Sequence, residues 1–436
     1  MTLKTFAPAA FAAGFLLFCG HASGATPTPS PKPKPSAWVR YPTVPDKLSP
    51  AAELGKQIFF DATLSGSGQM SCATCHSPDH AYGPTNGLAV QPGGADMKHA
   101  GARAVPSLRY LTFTPLFTRH YYVPASEDSD DEGPTGGFMR DGSMPSLREQ
   151  MAMPMLNPNE MANTSRETVV AKLRRAPYAN NFARVYGANV WADPAKAFVH
   201  AGEALEAFET EDPSFHPFTS KFDAVMSGHA TFSPAELRGL TAFSDPDKGN
   251  CAQCHVASPG PGGRPAAFTD YSFVALGLPR NMDIPANRDP AYFDMGLCGP
   301  MRTDMAKETQ YCGMFKTPTL RNSAGRSVFF HNGVFHTMED AVRFYSERDS
   351  NAKKWFPRQA GGKVDTYNDL PVAYRVNVDH TDPPFNHNPT KPVLRDAEIR
   401  DIVTFLKTLD DGFSSVSGGP ARKPLQAAGS NQLSKR

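Results

Sequence analysis

Cys72-Ala-Thr-Cys-His76 and Cys251-Ala-Gln-Cys-His255 are two copies of one pentapeptide, Cys-x-x-Cys-His. With seven Cys and 13 His in 436 residues, one such pentapeptide is expected by chance on the order of 0.003 times, so two are not coincidence. Two cysteines spaced by two residues can add to the two vinyl groups of one haem, and the adjacent His then lies beneath the iron as its proximal ligand. The sequence therefore predicts two haem c groups, on Cys72, Cys75 and His76 and on Cys251, Cys254 and His255. The competing reading, a zinc knuckle, needs four ligands per site and fits an exported protein poorly.

Export is read from the first two dozen residues. Lys4 is the only charge, an apolar run covers Phe11–Phe18, and Ala22-Ser23-Gly24 offers small residues for cleavage. The run is too short to span a bilayer. Cys19 invites a lipid anchor, but Phe18 is a poor small-residue neighbour for that processing, so periplasmic export without an anchor is expected. Residues 25–48 form a Pro-rich tether and linker, with TPTPSPKPKPS at Thr26–Ser36 extended and semi-rigid. Lys plus Arg total 44 and Asp plus Glu 43, a net charge of +1 that gives no support for a nucleic-acid or anionic-membrane surface. Without Cys19 and the pentapeptides, Cys298 and Cys312 remain, and they can close a disulfide in an oxidising compartment.

Each pentapeptide follows a similar helix start. Ser49-Pro50-Ala51 opens AAELGKQIFF and Ser233-Pro234-Ala235 opens AELRGLTAF, with Ser as cap and Pro at the first helical position. Glu236 completes a capping box. Leu54, Ile58 and Leu237, Leu240 supply apolar faces at helical spacing. Ala195–Phe208 reads as a further helix. Asp396 is expected to cap AEIRDIVTFLKTL, with Ile399, Ile402, Val403, Leu406 and Leu409 on one face and Gly412 as the stop. The predicted fold is mainly α, two cytochrome c-like domains each carrying one covalently attached haem. Forty-one Pro and 35 Gly predict long ordered loops. The boundaries expected are a signal peptide at 1–24, the tether at 25–48, an N-terminal domain at 49–215, a C-terminal domain at 216–418, and a flexible tail at 419–436.

Haem alone does not make an enzyme: two strong axial ligands give an electron carrier, an open position lets peroxide bind. Beyond the pentapeptides, the segments RAVPSL (103–108), DGSMPSLREQMAMPMLNPNEM (141–161), FTDYSFVALGL (268–278), FKTPTLRN (315–322) and HNGVFHTMEDAVRFY (331–345) resemble, in order and spacing, the bacterial dihaem cytochrome c peroxidase and MauG superfamily over nearly the full mature length. The resemblance implies an N-terminal haem that reacts with hydrogen peroxide and a C-terminal low-spin haem that passes electrons. It places Gln150, Pro154 and Glu160 in the peroxide pocket. A carboxylate there can move a proton from the inner to the outer peroxide oxygen, and an amide can hold peroxide or water in place. The bland alternative leaves Glu160 as a helix-start acid and Gln150 on the surface.

The resemblance also implies the second ligand of the C-terminal haem. The peroxidases place Met four residues after the Ala of a segment like Ala341-Val342-Arg343-Phe344; here that residue is Tyr345, as in the MauG branch. A phenolate stabilises high oxidation states of iron, whereas a thioether favours the reduced state, so Tyr345 suits an enzyme that stores two oxidising equivalents. The alternative is a Tyr on an apolar helix face, with Met338 or another Met on the iron. Where the family has a Trp relay between the haems, this chain has Arg140, which could bridge haem propionates instead. Calcium is possible between the domains, but the family's usual ligands are absent: Ala104 and Arg326-Ser327-Val328 stand there, and Arg326 can supply the positive charge. The acidic run Glu127–Glu132 is expected to be a solvated loop with some potential for calcium or a basic partner.

The runs from Asp294 to Asn322 and PFNHNPTKPVLRDAEIRDIV look closest to MbnH-type members, whose resemblance implies oxidation of a Trp on a small copper-binding partner of the MbnP type. The expected function is peroxide-driven oxidation of an aromatic residue on a periplasmic protein substrate. Two alternatives are a dihaem cytochrome c peroxidase drawing electrons from a small donor cytochrome, and a non-catalytic electron carrier. The carrier needs a second His at the N-terminal haem; His99 is the nearest candidate, and His80 is too close to His76 to reach the opposite face.

Overall fold

Ser49 and Ser233 open equivalent helices, Pro50–Phe59 and Pro234–Ser244. The Ser49 hydroxyl accepts the Ala52 N–H at 3.1 Å, and Ser233 and Glu236 cap each other, the Glu236 carboxylate accepting the Ser233 N–H at 2.6 Å. Each helix packs on the last long helix of its half: Pro50–Phe59 on Pro194–Glu211, and Pro234–Ser244 on Asp396–Leu406. The backbones approach so closely that only glycine fits at the crossing. A Cβ on Gly55 would fall 1.9 Å from the Ala204 carbonyl oxygen, and one on Gly239 would fall 2.0 Å from that of Asp401.

The computed structural model describes residues 45–121, 131–387 and 389–414. The expected signal, the Thr26–Ser36 tether, most of the acidic run and the tail lie outside the described residues, which belong to one unit, 35–436. Leu54, Ile58, Phe59, Phe182, Phe208 and Phe215 are buried in a core built on the first helix pair. Phe222, Phe243, Phe268, Ile399, Ile402 and Phe405 form its counterpart on the second. Between the helices the chain runs in long loops. The only extended pairs among the described residues are two short antiparallel ribbons, Pro92–Gly93 with His99–Ala100 and Phe273–Val274 with Phe315–Lys316. A disulfide joins Cys298 to Cys312 across 4.9 Å of Cα separation. No helix among the described residues is long and apolar enough to cross a membrane.

Two expectations are corrected. Leu237 is 55% exposed, because the helix is rotated so that Gly239, Ala242 and Phe243 face the partner helix, with Leu240 at the margin. The cap of the last helix is Arg395, in extended conformation, whose N–H donates to Glu398 at 2.8 Å. Asp396 is instead the first helical residue, and its carboxylate pairs with Arg343 at 2.5 Å.

In each glycine crossing a methyl group has nowhere to go, because the opposing atom is a backbone carbonyl. Gly55→Ala and Gly239→Ala are each expected to destabilise by about 1–3 kcal/mol, despite the ~1 kcal/mol that Ala gains over Gly in a helix. Thermal unfolding of the holoprotein checks this; a raised midpoint in either variant contradicts the close crossing.

Candidate functional site

Both pentapeptides fold as a single tight turn. Residues Cys72–Cys75 are helical and Cys251–Gln253 form a 3-10 turn, and in each the His N–H returns to the first Cys carbonyl, at 2.9 Å for His76 and 2.8 Å for His255. The two sulfurs and the imidazole therefore emerge together. Each ring commits Nδ1 to a backbone carbonyl: His76 to Tyr82 at 2.9 Å and His255 to Phe268 at 3.0 Å. A carbonyl only accepts, so Nδ1 carries the proton and Nε2 presents its lone pair. Burial holds both imidazoles neutral, pushing His76 down to about 4 and His255 in the same direction. Tyr82 and Phe268 both adopt left-handed backbone, φ 55° and 53°, a costly conformation for an aromatic residue that each half uses to aim its carbonyl. Burial also pushes the Cys72, Cys251 and Cys254 thiols up to about 12 and Cys75 up to about 11. Among the described residues no group of three or more His, Cys, Asp or Glu is placed to hold a metal ion, so the zinc-knuckle reading finds no ligand set there.

The two motifs line one cavity of about 440 Å3, whose wall also includes Gln150, Pro154, Glu160, Arg140 and Tyr345. On the His76 side, Pro154 lies in the short helix Ala152–Leu156, and its carbonyl accepts the Met161 N–H at 3.0 Å. The following turn carries Glu160, whose N–H donates to the Asn157 carbonyl at 3.0 Å. The Asn157 amide donates to Glu160 Oε1 at 2.8 Å, and Glu160 lines the cavity. Burial raises the Glu160 carboxyl, against lowering by Asn157 and Arg103. The Gln150 amide donates to Met139 Sδ at 3.3 Å. Gln150 and Glu160 thus face the cavity, not solvent or a helix start. His80 and His99 are exposed, the latter 3.7 Å from Asp96, and neither lines the cavity.

On the His255 side the wall is the helix Met338–Glu347, which presents Met338, Ala341, Val342 and Tyr345 on one face. Tyr345 lies between Phe330 and Phe385, both at 5.7 Å between ring centroids. Its hydroxyl has no hydrogen-bond partner among the described residues, and burial, then Cys251 and Cys254, raises its pKa. Met338, on the same face, also packs against the apolar core of the second half.

Between the motifs the cavity is cationic. Arg103 is fully paired, with Asp294 at 2.6 and 2.8 Å and Asp141 at 2.7 Å. Among the described residues the hydrogen bonds of Arg140, Lys316 and Arg326 go to carbonyls: Ala104 at 2.8 Å, Gly137, and Val105 at 2.8 Å respectively, and Lys316 also lies over the Phe138 ring. Burial lowers the pKa of all three, Lys316 to about 7. Buried cations without carboxylate partners require anions, and haem propionates meet that requirement. The residues present therefore fit two haems. They do not fit interdomain calcium at the family position, because the Arg326 guanidinium takes the Val105 and Val328 carbonyls. The sequence reading missed Lys316, Met139, Asn157 and Glu209, all near or on the cavity wall. Lys316 and Asn157 left a trace, inside the matching segments FKTPTLRN and DGSMPSLREQMAMPMLNPNEM.

Comparison with known proteins agrees with this geometry. The family model for di-haem cytochrome c peroxidase matches residues 49–231. The methylamine utilization protein MauG of Paracoccus denitrificans is 34% identical over 374 residues, covering 83% of this chain and 88% of that protein. The diheme peroxidase BthA of Burkholderia thailandensis is 36% identical with a TM-score of 0.74, covering 88% of this chain and 94% of that one. A MauG-like protein associated with microbial copper homeostasis shares the fold, with a TM-score of 0.59 at 23% identity over 88% of this chain and 96% of that one. The chain belongs to the di-haem cytochrome c peroxidase and MauG family. It is a haem-dependent, peroxidase-type oxidoreductase whose cofactors are two haem c groups.

Burial pushes the Asp294 carboxyl up, but the charge and hydrogen bonds of Arg103 outweigh it, and the net direction is down. A depressed carboxyl stabilises the fold above its unfolded pKa, and that stability is lost as pH falls through the folded value. Asp294→Asn leaves Arg103 buried with one carboxylate, so a loss of about 3–5 kcal/mol is expected. Unfolding midpoints across acid pH check this: the variant should start lower and lose less stability on acidification than the parent.

Proposed function

We propose that the protein is an exported, periplasmic enzyme that uses hydrogen peroxide to oxidise an aromatic residue, a Trp, on a partner protein, in the manner of MauG-like and MbnH-type enzymes. Cys72 and Cys75 attach the first haem and His76 ligates it; Cys251 and Cys254 attach the second, held by His255 and Tyr345. The halves correspond to domains at 49–215 and 216–418. When bound, the haem held by His76 would supply the iron that reacts with peroxide, and the haem held by His255 would supply a second redox centre. Glu160 takes the proton from the inner peroxide oxygen through Oε2 and returns it to the outer one, which leaves as water. Burial raises its pKa, which favours a carboxyl that can hold and pass on a proton. Gln150 positions the substrate, and Pro154 holds the loop that carries Glu160. Arg140 binds propionate across the cavity. Hydrogen peroxide takes two protons and two electrons to become two waters, and the electrons come from the partner's indole. A small copper-binding, MbnP-like protein is the partner class that the MbnH-type likeness favours.

The observation that carries this reading is the Tyr345 phenol, half-buried on the cavity wall beside Phe330 and Phe385, without a hydrogen-bond partner among the described residues. A second reading, cytochrome c peroxidase fed by a small donor cytochrome, draws on Met338, a thioether on the same cavity-lining face.

Addition of one equivalent of peroxide to the ferric holoprotein is expected to change the absorption and EPR signals of both haems; two unchanged spectra defeat the proposal. Glu160→Gln should slow that reaction about 10²–10⁴-fold with unaltered haem content, measured by stopped flow. Tyr345→Phe should remove the second axial ligand and abolish partner oxidation, read as the mass change on the partner. Rapid turnover with a reduced cytochrome and an unaltered second-haem spectrum in Tyr345→Phe would favour the Met338 reading.

A further inference from the structure

Two carboxyl groups flank the first pentapeptide, and the proposed chemistry uses one. Glu160 acts on Cys75; Glu209, on the helix Pro194–Glu211, acts on Cys72 and lines the same cavity. Glu209 is only 7% exposed, its Oε2 has no hydrogen-bond partner, and no ion pair reaches it among the described residues. The charges around it are committed elsewhere. Glu206, one turn back, pairs with Arg148 at 2.9 Å, and Lys56 on the adjoining helix faces Asp212 at 3.6 Å. The Tyr82 phenol shares a hydrogen bond with Ser214 at 2.6 Å. Burial, then the charge of Glu206, pushes the Glu209 carboxyl up to about 8, so it exchanges a proton near physiological pH.

An unpaired carboxyl in a low-dielectric wall responds to any charge change beside it: added negative charge raises its proton affinity, and the coupling is reciprocal. We propose that Glu209 is the proton-exchanging group of the first haem compartment, taking one proton from solvent when that compartment gains an electron and releasing it when the electron leaves. The electron comes from a one-electron donor such as a small cytochrome or a redox mediator. One O–H bond forms at Glu209 and no other bond changes. The proposal rests on the first haem being attached at Cys72 and Cys75.

The test is anaerobic potentiometry of the full-length holoprotein between pH 6 and 9, with each haem followed by its own spectrum and attachment at each pentapeptide verified by peptide mass. The first-haem midpoint should fall with pH, approaching a tenfold change in its reduction equilibrium per pH unit, about 59 mV. Glu209→Gln, a neutral isostere, should flatten that slope and remove a carboxylic C=O band from the reduced-minus-oxidised infrared spectrum; Glu209→Asp should keep both. Glu206→Gln should move the onset of the slope to lower pH. A Gln variant that keeps slope and band overturns the proposal. If that variant does not load haem, an unmoved onset in Glu206→Gln overturns it instead. A parent protein without haem at Cys72 and Cys75 would count against the underlying attachment.

Discussion

A guanidinium buried between two carboxylates fixes how the two halves meet. Arg103 comes from the RAVPSL segment, Asp141 from the segment that carries the Gln150 and Glu160 wall, and Asp294 from the second half, with contacts of 2.6–2.8 Å. Three charges taken out of water must satisfy each other, because any one left alone carries the full desolvation cost. The Phe315 ring, stacked on His331 at 3.6 Å between centroids, covers the same guanidinium at 5.4 Å. By taking both acids, Arg103 leaves Arg140, Lys316 and Arg326 without a carboxylate partner among the described residues. That stretch of the cavity wall is therefore positive, and haem propionates would neutralise it. The same interaction that joins the halves thus prepares the cofactor compartment.

The halves share a framework and diverge at the wall facing each His. Both use a Ser-Pro helix start, a glycine crossing, a one-turn pentapeptide and a left-handed aromatic residue whose carbonyl fixes the imidazole. Opposite His255, a regular helix places side chains at Met338, Ala341, Val342 and Tyr345, so one residue projects along a rigid element. Opposite His76, the chain passes through two short helices, Leu147–Gln150 and Ala152–Leu156, and turns through Asn157–Glu160, so short helices and turns set the wall. A helix suits a fixed axial partner, and a turned loop leaves room for a small substrate. The difference in secondary structure is a physical basis for the difference in role proposed above.

Residue identity alone made the two haem c cofactors legible, since Cys-x-x-Cys-His needs no tertiary context. The Ser49 and Ser233 caps were legible because they are local. What the sequence hid depended on rotation and neighbours. The periodicity through Leu237 and Leu240 announces an apolar face, but Gly239 sets the crossing and turns Leu237 outward. Arg395 caps the last helix through its backbone, which no side-chain preference reveals. Glu206 and Glu209 are three residues apart on one helix and alike in sequence, yet one meets Arg148 and the other an apolar wall. The cationic cavity was half legible: Arg140 stood out against the family pattern, while Lys316 looked like any surface lysine.

Tyr345 shows why one position can divide two chemistries on this fold. Burial raises the phenol, so it gives up its proton only against a positive charge in its own cavity. Arg348 pulls in that direction but is held by Asp349 at 2.8 Å and by backbone carbonyls. Under the proposed ligation, ferric iron beside His255 supplies the missing charge, and removing that charge by reduction returns the advantage to the protonated phenol. A phenol so placed holds the second centre oxidised and resists its use as a simple electron relay. A methionine there would carry no proton and no such bias. The oxidising power drawn from peroxide is then kept within the protein until a partner supplies electrons, which is the condition that oxidation of a separate protein requires.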